Sequence, residues 1–395
     1  KHSNAEGGYL LETARDAPTI LMGKLCVTRK VLLLALSLHA LVLPGSHGRK
    51  MYSEDMDKAV CDESSSRKSS RSISGYSIQV LTYDRPSPLL RLLKALQEAE
   101  YDNTTVDLRV WVDGASTWRS SQKSSRDEVE VIARQVQWRH GDYQVVVRRP
   151  NKGLLGQWFG CCGDLDLTTR WVVFEDDLEP SPQWFRWFKK AWESYQDYPH
   201  LAAISMQRQH LVACCEYIGS ESLEVNNGNE PYLYKLPGSW GFSPNPLVWK
   251  EFIEWYSMIE RNTTFHPRTP GLVTTIWYDN NLKEGKEGRN GTARTWSIWF
   301  IYYMEWKMLY CLYPNLPDHR TFAANWNELG VHPVQQGKGS QRSDALQDTW
   351  DDTSQRMPSA LMRIGWDGVE QVPRLSRQGI GLGVSIEEVY GMEAW

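Results

Sequence analysis

A chain of 395 residues is long enough to bury a substantial core, as one large domain or two modest ones. Its 41% hydrophobic and 23% charged residues are those of an ordinary soluble globular protein. A net charge of -4 gives no sign of the basic surface that marks nucleic-acid binders, so no nucleic-acid partner is expected.

Residues 1–21 lack a starting Met and any periodicity, and read as a non-native or untranslated leader. Met22 is followed by Lys24, Arg29 and Lys30, the apolar run Val31–Leu43 and the breaker Pro44-Gly-Ser-His-Gly48, the order of parts in a secretory signal peptide. The run is shorter than the ~20 apolar residues that span a bilayer. Residues 22–48 are therefore expected to be cleaved, with a short signal-anchor, and hence a membrane tether, as the alternative. This implies a Golgi or ER lumen address, or secretion. The acceptor sequons at Asn103, Asn262 and Asn290 agree with that route. Residues 49–75, polar and basic around Ser64–Ser72, read as a flexible stem. Setting Cys26 aside leaves Cys61, Cys161, Cys162, Cys214, Cys215 and Cys311, an even number that permits three disulfides of unreadable pairing. No Cys-x-x-Cys pair with a matching His suggests structural zinc.

Order is expected from Tyr76. Tyr76–Tyr83 reads as a strand, Leu89–Glu100 as a helix with Leu89, Leu92, Leu93 and Leu96 on one face, and Asp107–Asp113 as an alternating strand. A helix over Arg126–Trp138, a strand over Tyr143–Arg148, a helix over Gly153–Leu167 and a strand over Trp171–Phe174 follow. This alternation predicts an α/β fold with a mostly parallel, doubly wound sheet flanked by helices. Downstream come a helix Pro182–Tyr198, a strand Leu201–Ser205, an irregular stretch Gln209–Asn229 and the Gly/Pro-rich aromatic loop Leu236–Pro246. Trp240 and Gly241 in that loop are candidates for the second, acceptor-side half of a cleft. Helices Leu247–Tyr256 and Trp296–Leu309, a further irregular stretch Asp279–Arg294 and a strand Tyr310–Leu316 complete an irregular second half. Residues 76–335 are thus expected to be the working domain, split into 76–180 and 181–335, and residues 336–395 a polar tail.

The chemistry concentrates at Glu175-Asp-Asp177, where the Trp171–Phe174 strand ends in three acids. In open α/β sheets ligands bind at that edge, and adjacent carboxylates call for a cation, such as Mn²⁺ or Mg²⁺ shared with phosphate oxygens. The plain alternative is a helix start, with Ser181 as N-cap, Pro182 at the first position and acids favouring the dipole.

The succession of Thr82-Tyr-Asp-Arg-Pro86, Asp113, Asn151-Lys-Gly153 and Glu175-Asp-Asp-Leu-Glu179, each following a strand, resembles the GT-A glycosyltransferases. It is similar to family-2-like enzymes and to the N-acetylglucosaminyltransferases that begin complex N-glycans. The resemblance implies a GT-A (Rossmann-like) fold over roughly 76–332, a UDP- or GDP-linked sugar donor and a glycan or glycoprotein acceptor. It implies that Asp177 and the late His332 bind the metal, that Asp176 serves the nucleotide side with Glu175 in support, and that Asp113 accepts hydrogen bonds from the base. Thr82, Arg85 and Lys152 would lie near the nucleotide. The 19 Trp and 18 Tyr suit sugar clefts, as they suit a core.

Those N-acetylglucosaminyltransferases carry Trp-Asp-Asp-Trp where this chain has Trp296-Ser-Ile-Trp299, so the base of an inverting mechanism must lie elsewhere. Glu305 is the first candidate, with a helix-surface acid as its plain alternative, and Asp279 and Glu328 follow. A retaining mechanism needs no such base. The rival readings are an inactive secreted protein of the same fold that binds carbohydrate or nucleotide, and a glycan hydrolase.

Overall fold

In the computed structural model, the residues described are 72–115, 123–164, 166–214, 222–262, 264–283, 295–328 and 341–371. The expected leader, signal segment and His332 lie outside them, as do Cys61 and Cys215. Among the described residues no helix is long and apolar enough to cross a membrane.

The first half follows the alternation in the sequence. Strands β1 (Gly75–Thr82), β2 (Val106–Val112), β3 (Tyr143–Val147) and β4 (Thr169–Glu175) are linked by helices α1 (Pro86–Gln97), α2 (Lys123–Gln135) and α3 (Gly153–Gly160). They are followed by β5 (Leu178–Pro180), α4 (Trp184–Tyr195) and β6 (Leu201–Ser205). The second half adds β7 (Tyr232–Tyr234), β8 (Phe242–Pro244), α5 (Pro246–Ile259), α6 (Val273–Lys283) and α7 (Trp296–Trp306). It closes with β9 (Tyr310–Tyr313), β10 (Ala323–Asn325), α8 (Asp352–Gln355) and β11 (Met362–Ile364).

Nine strands form one sheet in the order β11-β7-β9-β6-β8-β4-β1-β2-β3. β1, β2, β3, β4, β6 and β9 run parallel, while β8 and β7 run against them. Both faces of β1 and β4 are covered, and the buried polar pair Ser77 and Gln79 on β1 is satisfied internally: the Gln79 amide donates to Ser77 Oγ at 2.7 Å and accepts the Trp111 indole N–H at 2.8 Å. Ile78, Val80, Val172 and Phe174 face a core completed by α1 and α4, and Leu81, Trp171 and Val173 face one completed by Trp158 of α3 and by α5 and α7. The chain moves from β1 outward to β2 and β3, then returns across to place β4 on β1's other side. The sheet therefore has its switch point between β1 and β4, where the carboxyl ends part and leave a crevice.

Several expectations are corrected. α1 begins at Pro86, not Leu89, because Pro is favoured in a first helical turn; Arg85 becomes its N-cap. Four buried leucines, 89, 92, 93 and 96, anchor it, each contributing on the order of 1.5–3 kcal/mol. Residues 273–283 are helical, so Asp279 stands on a helix and not in an irregular stretch. Part of the expected tail belongs to the fold: β11 pairs with β7, and Tyr195 donates its hydroxyl to Pro358 O at 2.8 Å. Cys161, Cys162 and Cys311 are buried free thiols, which rules out three disulfides among the six cysteines.

Candidate active site

The switch point gathers Thr82, Arg85, Glu175, Asp176 and Asp177. Leu81 and Glu175 are register partners on β1 and β4, so the residues just beyond them, Thr82 and Asp176, meet across the crevice. The Thr82 hydroxyl donates to Asp176 Oδ2 at 2.6 Å, and Arg85 donates to both Asp176 Oδ1 and, at 3.0 Å, Asp177 Oδ2. Asp176 is 2% exposed and Asp177 20%, so Asp177 is the acid turned to solvent. Burial pushes Asp176 up to about 6 against the pull of Arg85, and Asp177 adds to the rise. Burial together with Asp177 pushes Glu175 up to about 8, although Arg85 and the Trp158 indole N–H, 3.2 Å from its Oε1, favour the charged form. Burial pulls the Arg85 guanidinium down, and the two aspartates outweigh it, so its pKa is raised.

Asp113 has partners in the chain itself. The resemblance made it an acceptor for a nucleotide base, yet its carboxylate accepts backbone N–H groups from Gly114 (2.8 Å), Lys152 and Gly153 (both 2.9 Å) and is 3% exposed. It ties the β2 end to the amino end of α3, a position that favours an anion. Burial raises its pKa while these three N–H groups oppose the rise. Gly114 is required there, since a Cβ would lie 2.3 Å from the Pro150 carbonyl carbon. Lys152 reaches this knot through its backbone N–H, and its side chain is exposed.

The loop of Trp240 and Gly241 packs beside the ends of β6 and β4. Met206, just past β6, donates its N–H to Gly241 O at 3.2 Å, and Trp240 donates its own to Gln207 Oε1 at 3.0 Å. Gly241, at φ +64, leaves a Cβ position 3.1 Å from Met206 Cβ and Phe174 Cε1.

Glu305 and Asp279 are not brought to this edge. Glu305 lies in the last turn of α7, before β9 begins, and pairs with Lys235 at 2.9 Å just beyond β7. Because β7 runs against β9, that pair sits at the amino edge, opposite the acids. Asp279 is held by Arg268 at 2.8 Å on α6. Glu328 is brought near. Trp326 donates its N–H to Asp177 O at 2.8 Å, and Glu328, two residues on, pairs with Arg91 at 2.8 Å.

Sequence reasoning missed the rim that these residues build. Arg91 lies 4.3 Å from the Trp326 ring, and the Trp326 indole donates to Glu179 at 2.6 Å. Glu179 ends the acidic motif, and that position was its one available signal; Arg91 had none. Trp158, the partner of Glu175, was hidden in a run that reads as plain helix.

Among the described residues no group of three or more His, Cys, Asp or Glu is placed to hold a metal ion. The Asp177 carboxylate, 20% exposed, nonetheless suits Mg²⁺ or Mn²⁺ shared with a diphosphate, since such ions take one or two carboxylates plus phosphate oxygens and keep several waters.

No family model and no curated protein matches the chain. Solved structures do. The chain aligns with the S. aureus TarS 1–349 structure at 14% identity and TM-score 0.30, over 45% of this chain and 48% of that one. It aligns with apo mouse xyloside xylosyltransferase 1 at 10% identity and TM-score 0.32, over 61% and 85%. An active-site mutant of LgtC aligns at 13% identity and TM-score 0.29, over 48% and 66%. The alignment thus spans about half the length of the TarS chain, and a likeness of this size is too weak to bear on activity.

Proposed function

We propose that the protein is a glycosyltransferase of the GT-A kind, using a nucleotide-sugar donor and a hydroxyl acceptor on a glycan or glycoprotein in the secretory pathway. Hexosyl or N-acetylhexosaminyl transfer fits equally. The observation that carries the reading is the acidic pair Asp176–Asp177 at the β1/β4 switch point, with Arg85 and Thr82 fixed against it.

In this reading Asp177 holds Mn²⁺ or Mg²⁺ against the diphosphate, and His332 joins it. When bound, such an ion stabilises the charge that develops on the leaving diphosphate. Thr82 and Arg85 keep Asp176 oriented, and the Asp113 knot fixes the loop before α3 on the nucleotide's flank. Trp240 and Gly241 face the acceptor. Of the three carboxylates weighed as general base, Glu328 is the one near the crevice.

The test is release of nucleotide from UDP- and GDP-sugars with and without Mn²⁺. The wild type should turn over in a metal-dependent way and Asp177→Ala should lose at least a hundredfold. Equal slow release by both proteins would overturn the reading. One observation favours a protein that binds without turnover: the acid-free Trp296-Ser-Ile-Trp299 stands at the same edge, Trp296 lying 4.3 Å from the Trp158 ring and 4.9 Å from Phe242. Tight nucleotide binding with no release would select it.

A further inference from the structure

The acidic turn already has a cation. Arg85 stands at the non-helical N-cap of α1, with φ -115 and ψ 82, and its guanidinium spans Asp176 and Asp177. A planar fork with fixed donors suits two neighbouring carboxylates. Asp176 is held on its other side by Thr82 at 2.6 Å, whereas Asp177 is the more exposed of the two. The bond to Asp177 is thus the one that a competing cation reaches first.

Two aspartates and one arginine carry one net negative charge, which repels a diphosphate. A divalent ion taking Asp177 would sit within a few ångströms of the guanidinium, and like charges so close in a part-buried crevice repel strongly. Both problems end if the arginine moves.

We propose that Arg85 is the resident counter-ion of the acidic turn, and that a divalent ion enters at Asp177 as Arg85 gives up that carboxylate and turns its fork toward the diphosphate. The exchange of arginine for metal stands on the ion-pair geometry; the turn toward a diphosphate rests on the nucleotide-sugar reading.

Calorimetric titration of nucleotide-free protein with Mn²⁺ tests the exchange, with wild type, Arg85→Gln, Arg85→Lys and Asp177→Asn compared and their folding checked by circular dichroism. Arg85→Gln should bind Mn²⁺ at least tenfold more tightly than wild type. Arg85→Lys, a point charge unable to span both acids, should fall between them, and Asp177→Asn should lose binding. In saturating Mn²⁺, UDP should bind at least fivefold more weakly to Arg85→Gln than to wild type.

A folded Arg85→Gln that binds Mn²⁺ no more tightly than wild type overturns the proposal. Should that variant fail to fold, a Lys variant no tighter than wild type does so instead. Tighter Mn²⁺ binding without any UDP binding in wild type keeps the exchange and removes the nucleotide-sugar reading. UDP binding that is unchanged by Arg85→Gln removes the turn toward the diphosphate.

Discussion

Thr82 and Asp176 stand 94 positions apart in the chain and meet at 2.6 Å, one the last residue of β1 and the other just past β4. The hydroxyl is a donor to a carboxylate that is 2% exposed. Thr82→Val keeps the shape and removes the donor. It should cost about 1.5–3 kcal/mol, the range for hydrogen bonds to charged groups. Urea unfolding at pH 7 reads this directly, and a loss below about 0.5 kcal/mol, the low end for any such bond, would count against the contact.

The acidic turn makes stability depend on pH with an unusual sign. Burial lifts Asp176 to about 6 and Glu175 to about 8, above the ~3.9 and ~4.3 of an unfolded chain. Between those limits the native state holds the extra protons, so these groups lower stability as pH rises from about 4 to about 8. Glu175→Gln imitates the protonated acid. Relative to wild type it should gain stability steadily over that window and level off above it. A difference that stays constant from pH 5 to pH 8.5 in urea unfolding would show that Glu175 titrates normally.

Asp113→Ala should loosen the start of α3. It leaves the N–H groups of Gly114, Lys152 and Gly153 without their carboxylate, at a cost of about 2–4 kcal/mol. Hydrogen exchange at Lys152 and Gly153 should accelerate more than exchange in β1. Equal acceleration throughout the sheet would indicate general destabilisation instead.

Glu305→Gln separates the two sheet edges. Turnover of a nucleotide sugar should stay within about twofold of wild type. Stability should fall by ~2–4 kcal/mol, because Lys235, 16% exposed, loses its ion pair. A hundredfold loss of turnover in a protein of unchanged melting temperature would return Glu305 to the chemistry.

What the sequence disclosed depends on element length. β1, β2 and β4 each run seven or eight residues, long enough for apolar pattern and turn signals to mark them. β5, β7, β8 and β11 are three residues each, too short to show a period, so the second half read as irregular. The acids at Glu175–Asp177 were visible because a strand ends on them. Their bond to Arg85 was not, because it depends on β4 folding back beside β1, and nothing in the chain near residue 85 records that. The contacts of Asp113 were hidden for the opposite reason. Its position at a strand end was correct, but its partners are backbone amides, which every residue but Pro carries and no pattern announces.

The segment 341–347 lies alongside 321–327, joined by Asn327 N to Gln341 O at 3.0 Å, Ser343 N to Asn325 O at 2.8 Å and Gln347 N to Thr321 O at 2.9 Å. The inner strand of that ladder holds Asp177 through Trp326. A recombinant fragment trimmed where the apolar pattern fades, near Gln335, would keep every acid of the crevice and lose the strap that buckles them in place. Material prepared for enzymology should therefore extend at least through Gln371, whose side chain accepts the Tyr310 hydroxyl at 2.7 Å.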